Sequence, residues 1–437
     1  MKICLIVVPH QDDETNLVGN ILSRLTKLYE VFVVYSSLDS NLEKGAIRKR
    51  EATNACNVWS IDEKHVIFLE FPDTPNKIGH HFYTDGNHKI VTNLVELIEL
   101  YRPELIIGTD FDFHSDHRMI SLALDEAIGT ILLKQAKRDY VTYEKLYYPI
   151  CLKGFCYETA YYGIEDYRPF ALGTTKVKEN LLSNPSYEWE KRISIPSSDV
   201  DDFIWNKKAF KALKCHDSQY AILRARSIIN ADNVFWQRRT DNLLYNAKLS
   251  VSSGNAEKLR DFMILDTDDI ITQDPCQIDY SKALWVPDAS DKNPEIHIRF
   301  DGLVEIGTII LHGAIANGED SAVHIEVIVN SDRTIECSGI RAYGRSTEIT
   351  INQEDVRDII IRFESFNFYN FGVGELEIFS KEVQGDVELE SLIDCNGRIA
   401  ATQISKKKLM CLMDVFGFGM IVIKTKVKRK IRRLFAI

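Results

Sequence analysis

Short, fully apolar runs alternating with helical patterns constrain the N-terminal half of this chain more than any other feature. Residues 3–8 (ICLIVV) read as a buried strand, followed by a helical pattern from Thr15 to Leu28. Residues 31–35 (VFVVY) read as a second strand, Gly45 to Trp59 as a helix, and His65 to Leu69 as a third strand. Val91 to Tyr101 reads as a helix, Leu105 to Gly108 as a fourth strand, and His114 to Leu133 as a loop continuing into a helix. Strands that are apolar without alternation are covered on both faces, and intervening helices supply the cover. The expected fold class is therefore α/β with a mostly parallel sheet. Such sheets bind ligands beyond the C-terminal ends of their strands. Polar clusters at 10–14 and 110–117 each follow a strand directly, so they can meet at one sheet edge.

From about Asn242 the pattern changes to β-rich runs punctuated by turn residues: 296–300, 306–311, 324–329, 349–351, 359–363 and 376–379. They predict an antiparallel β-sandwich of about 140 residues. The expected division is 1–238, 242–381 and a basic, apolar, helical tail over 382–437. The linker near 238–242 is short, so close packing of the first two units is expected. The chain of 437 residues carries a formal net charge of −11, which disfavours nucleic acid as a partner. From Ala400 onward ten Lys/Arg face one acidic residue, Asp414; that is +9, leaving −20 for the rest. The apolar run Leu409–Ile423 lies between basic clusters and is too short to span a bilayer. It suits either an interfacial segment on an anionic membrane or a helix docked on the body. Nine irregularly spaced cysteines read as reduced thiols of a cytosolic protein, and the apolar start is too short for a signal peptide.

The chemistry concentrates in the two strand-end clusters. His10, Asp12, Asp13 and Glu14 lie within five residues, and His114, Asp116 and His117 within four. A hydrolytic zinc site needs about three imidazole or carboxylate ligands and an open position for water. His10, Asp13 and His117 supply such a set. Asp12 can then act as general base, His114 as oxyanion donor or proton donor, and Asp116 as the group that orients His114. The plainer reading makes Asp12 or Asp13 the N-cap of the following helix. His80, His81 and His88 read as exposed loop residues. No serine-nucleophile elbow surrounds Ser218, and no glycine-rich nucleotide motif follows the first strand.

Pro-His-Gln-Asp-Asp-Glu at 9–14 resembles the (P/A)-H-P-D-D-E motif of the PIG-L/LmbE-like de-N-acetylases, with Gln11 replacing the usual proline. His114–His117 resembles their H-x-D-H motif, Arg48–Glu51 their R-x-x-E segment, and Lys211–Gln219 (KALKCHDSQ) their late element. The resemblance covers roughly residues 1–235. It implies a Rossmann-like fold and zinc-dependent removal of acetyl from GlcNAc-type sugars. It also implies His10, Asp13 and His117 as ligands and Asp12 as base. Arg48, Asp73 and His216 are the expected substrate contacts, with a salt bridge, a turn and a helix cap as their respective alternatives. Another divalent metal would suit the same ligands.

Residues 242–380 resemble discoidin-like (coagulation-factor type C) jelly-roll domains, through Asn242–Ser253, Trp285, Ile296–Phe300 and Gly374–Phe379. That resemblance implies carbohydrate binding, with Trp285, Tyr343 and Phe368 as candidates for stacking on sugar rings or as core residues. The leading expectation is a cytoplasmic N-deacetylase, with peripheral contact to the inner face of the membrane through 400–437. The alternatives are a catalytically silent carbohydrate-binding scaffold and an amide hydrolase for a non-sugar substrate.

Overall fold

The first apolar run forms β1 (Lys2–Val8), an interior strand of a seven-stranded sheet. This structure is a computed structural model. It describes residues 2–73, 89–110, 114–137, 146–154, 156, 191, 193–195, 197–198, 203–225, 233–263, 284–313, 321–341, 345–364, 371–382 and 384. β1 pairs in parallel with β2 (Tyr29–Leu38) on one side and β4 (Leu105–Thr109) on the other. Beyond them, also parallel, lie β3 (Val66–Pro72) and β5 (Ile150–Gly154). β6 (Ile193–Ile195) and β7 (Asn233–Arg238) close the edge antiparallel, giving the order β3-β2-β1-β4-β5-β7-β6. The chain leaves β1 toward β2 and later returns through β4 on the opposite side. The gap beyond the C-terminal ends of β1 and β4 is therefore the topological switch point, where such sheets open a crevice.

Alternation along β1 explains its burial on both faces. Cys4, Ile6 and Val8 pack with α1 (Asp13–Val18), α2 (Leu22–Leu28), α3 (Leu42–Asn57) and α6 (Lys208–Cys215). Leu5 and Val7 pack with α4 (Lys89–Tyr101) and α5 (Ser115–Ala136). The helical pattern expected over 15–28 is two helices, because the chain turns at Gly19–Ile21 between them. α3 starts where Asn41 Oδ1 accepts from the amides of Glu43 and Lys44, at 3.1 Å each.

The second sheet is antiparallel, in the order β11-β10-β12-β9-β13, with β8 (Ala247–Val251) paired to β9. Two strands are much longer than their sequence runs suggested. β9 spans Glu295–Gly313 and β12 spans Ser346–Glu364, each carrying two of the expected runs as one. The apparent breaks are irregularities within a continuous pairing, at Thr350/Gln353, Gln353/Val356 and Val356/Asp358. Asn352 and Asp355 take positive φ there, so the bend is absorbed without ending the strand. β10 (Ser321–Val329) and β13 (Val373–Phe379) match expected strands, whereas β11 (Arg333–Ile340) was not foreseen. Its face alternates between exposed and half-buried positions, so it carries almost no apolar signal.

The two sheets meet along β13. Asn242 Nδ2 donates to Leu376 O, and its Oδ1 accepts from Ile378 N, both at 2.9 Å. Gln384 Nε2 donates to Thr240 Oγ1 and to the carbonyl of Tyr148. Gly129 of α5 lets the 261–262 segment come close, since a Cβ there would lie 2.1 Å from the Asp261 carbonyl oxygen.

Candidate active site and metal centre

The loop after β1 is held from three directions. Ser37, near the end of β2, donates to Pro9 O from both its amide (3.0 Å) and its hydroxyl (2.9 Å). Gln11 Nε2 donates to Ser37 O, and Gln219 Nε2 donates to Gln11 O at 2.6 Å. Gln11 is buried, so hydrogen bonds fix the backbone where the resembled motif uses a proline ring. Asp12 occupies the N-cap position of α1 but makes no capping hydrogen bond, so the plain cap reading does not describe its side chain.

Asp13 Oδ2 lies 3.0 Å from His10 Nδ1 and 3.2 Å from His117 Nε2. Asn16 Nδ2 donates to the other oxygen at 3.1 Å, and all four side chains are buried. Two imidazoles and a carboxylate thus converge on one point, the donor set that a divalent cation takes. Among the described residues, the groups whose ligand atoms all lie within 4.8 Å of one another are His10, His114 and His117, and His10, Asp73 and Asp116. Burial pushes the Asp13 carboxyl up, but His117 and His10 outweigh it and hold it well below the usual range. Burial works against a charged His10, yet Asp116, Asp13 and Asp73 hold its pKa well above the ordinary value.

His114 is the N-cap residue of α5, and its Nδ1 accepts from the Asp116 amide at 3.2 Å. Burial, then the neighbouring His117 and His10, push its pKa down to about 4. At neutral pH the imidazole is uncharged. Because Nδ1 is an acceptor, the proton sits on Nε2, making that nitrogen a hydrogen-bond donor. The Asp116 carboxylate was expected to orient His114. Its Oδ2 instead lies 3.0 Å from His10 Nε2, and it is the Asp116 amide that fixes His114. The cause is local: an N-cap side chain accepts from the amide two residues on.

Arg48 reaches from α3 to Asp39 and Asp73, each at 3.8 Å, and Asp73 Oδ1 is 3.6 Å from His10 Nε2. Both sit at the rim of the cluster. His216, expected as a substrate contact, is completely buried with Nε2 2.9 Å from Glu14 Oε1. It therefore holds the start of α1 rather than lining the opening. Glu51 of the R-x-x-E segment accepts from Ser218 through its amide (2.8 Å) and hydroxyl (2.6 Å). The early and late motifs thus clamp each other across the fold. The sequence offered both partners but no sign of the pairing. Of the aromatics, Trp285 is fully buried against Phe363 and Phe371, and its Nε1 donates to Ser253 O at 2.8 Å. It is a core residue, not a sugar platform. Tyr343, Phe368, His80, His81, His88 and the stretch 400–437 lie outside the described residues.

Residues 5–128 match the family model described as PIG-L: GlcNAc-PI de-N-acetylase. No curated protein matches the chain. Among solved structures, the chain is similar to the N,N'-diacetylchitobiose deacetylase from Pyrococcus horikoshii, at 14% identity, TM-score 0.35, covering 55% of this chain and 84% of that one. A deacetylase in the biosynthesis pathway of teicoplanin is similar at 12% identity, TM-score 0.37, with 55% and 99% covered. The CpGH89CBM32-6 module of Clostridium perfringens is similar at 16% identity, TM-score 0.22, with 32% and 99% covered. The residues that match this family model carry both the His10–Glu14 and the His114–His117 clusters.

Proposed function

We propose that the chain is a metal-dependent hydrolase that removes the N-acetyl group from an N-acetylglucosamine-type sugar. The observation that carries this reading is the convergence of His10, Asp13 and His117 at the switch point, inside the segment that matches the family. These three residues would hold the cation, zinc being the first candidate and another divalent metal the second. When bound, it would supply Lewis acidity toward a water and the acetamide carbonyl.

The chain's own residues account for the rest of the reaction. Asp12, a buried carboxylate at the mouth of α1, takes the proton of the attacking water and passes it to the amine nitrogen as the C–N bond breaks and acetate leaves. His114, neutral with its proton on Nε2, donates a hydrogen bond to the carbonyl oxygen as negative charge grows there. Asp116 keeps both His10 and His114 in place. Arg48 and Asp73 offer a cation and a carboxylate at the rim, suited to sugar hydroxyls. We assign this unit to residues 1–238 and treat 242–381 as a packing or carbohydrate-binding partner. Cytoplasmic placement and a membrane contact through 400–437 belong to the same proposal.

The test is amine release from soluble, nucleotide-linked and lipid-linked N-acetylglucosaminyl compounds, using metal-loaded wild type and Asp12→Ala. Release by wild type with a loss of about a hundredfold or more in the variant supports the reading. One bound metal per chain without release from any compound would sink it.

A further inference from the structure

A second surface stands out on the segment that buttresses the site. Phe203 precedes, and Trp205 lies within, a short 3-10 turn (Ile204–Asn206) just before α6, and both are more than half exposed, at 56% and 55%. Their rings lie parallel, with centroids 5.8 Å apart and 2° between planes. After α6, Tyr220 and Leu223 are 73% and 77% exposed, in a segment whose 3-10 turn (Ala221–Arg224) packs against the helix. Single exposed apolar residues are ordinary; four large ones along one short segment are not.

The charges on this segment run against the rest of the chain. Residues 203–225 hold five basic residues (Lys207, Lys208, Lys211, Lys214 and Arg224) against one acid, Asp217, in a chain whose net charge is −11. At about 100° per residue, Lys208, Lys211 and Lys214 line one side of α6. The buried Ala209, Ala212 and Leu213 line the other, and Lys211 and Lys214 are exposed. Exposed aromatic rings beside a row of lysines are the composition of a surface that rests at the lipid headgroup level.

We propose that Phe203, Trp205 and the lysine face of α6 form a docking surface for an anionic lipid bilayer. The aromatic rings enter the headgroup boundary while Lys211 and Lys214 pair with lipid charge. The surface is tied to the site by the same segment. His216 meets Glu14, Ser218 meets Glu51 and Gln219 meets Gln11, so docking sets the orientation of the cleft to the membrane. The proposal goes beyond the deacetylase reading and does not depend on it.

The experiment is co-sedimentation of the full chain with vesicles of phosphatidylcholine alone and of phosphatidylcholine with phosphatidylserine. Wild type should prefer the anionic vesicles and lose that preference with salt. Lys211→Glu/Lys214→Glu should lower anionic-vesicle partitioning about thirtyfold, and Phe203→Ala/Trp205→Ala at least about tenfold. Bromolipids should quench a part of the tryptophan emission that Trp205→Phe removes, a readout that survives if a double variant misfolds. Equal binding by all forms, no binding by wild type, or Trp205 already shielded from aqueous quenchers without vesicles would each overturn the proposal. Amine release from a soluble substrate, measured alongside, separates failure of docking from failure of the hydrolase.

Discussion

The C-terminal edge of the parallel sheet and the interior of the antiparallel sheet both bury many side chains, but they enclose opposite chemistry. At the first, His10, Asp12, Asp13, Glu14, Asp116 and His117 are all buried. In the second, the buried cluster is apolar throughout, from Leu244 to Ile378. Burying charge costs far more than burying a methyl group and is tolerated only when partners satisfy it. The polar edge therefore reads as a working site and the apolar interior as a source of stability. Among the buried polar groups of the second sheet, Glu375, Glu377 and His312 lie where β13 meets the first sheet. There Glu377 pairs with His312 at 2.8 Å, and Glu375 accepts from the Phe262 amide at 3.1 Å.

Substitutions can break that contrast. The largest effect is expected from Asp13→Ala. It removes the oxygen that both imidazoles share, so metal binding measured by atomic absorption and amine release should both be lost. Retained stoichiometric metal would mean that the His10/His114/His117 or His10/Asp73/Asp116 group holds it instead. His114→Ala should keep the metal but lower kcat by about a hundred- to a thousandfold, the usual loss of one oxyanion donor. An unchanged kcat would remove His114 from the reaction.

Smaller effects test the junction between the sheets. Gly129→Ala should lower thermal stability by roughly 1–3 kcal/mol, because helix propensity cannot offset a Cβ 2.1 Å from a backbone oxygen. A rise in Tm instead would mean that the 261–262 segment gives way freely. The smallest effect is a pH slope. Burial, then Asp261 and Glu377, raise the Glu375 pKa well above 4.5 despite Arg238. A carboxyl raised on folding binds more protons folded than unfolded. Its stabilising share is complete below its unfolded value and is lost as pH rises through its folded value. Glu375→Gln should thus match wild type in acid and gain relative Tm as pH rises toward neutral. A constant Tm difference across that range would place the unfavourable charge elsewhere.

Much of the α/β region is legible from sequence because strand and helix periods are local properties of the chain. The runs at 3–8 and 105–108 mark strands, and the polar residues just after them mark the sheet edge. Sandwich strands were harder to delimit. Residues such as Asp301 and Gly302 look like a turn, yet β9 continues through them because β12 pairs with it on both sides of them, at Arg299 and at Val304. Charged residues inside apolar strands carried a signal that periodicity alone does not use. Lys153 in β5 and Arg238 in β7 are buried and share Asp125 of α5, at 2.9 and 3.6 Å.

The sequence by itself determined the class of the first sheet, the position of both polar clusters at strand ends, and the residue types for a metal site. Only the tertiary structure decided which of those residues meet. It turned the Asp116 carboxylate to His10, buried His216 against Glu14, joined Glu51 to Ser218 and placed Trp285 in the core. The physical reason is range. Backbone period and turn chemistry act over a few residues, whereas these contacts join positions far apart in the chain. Their partners follow from strand order and from what each layer excludes from water.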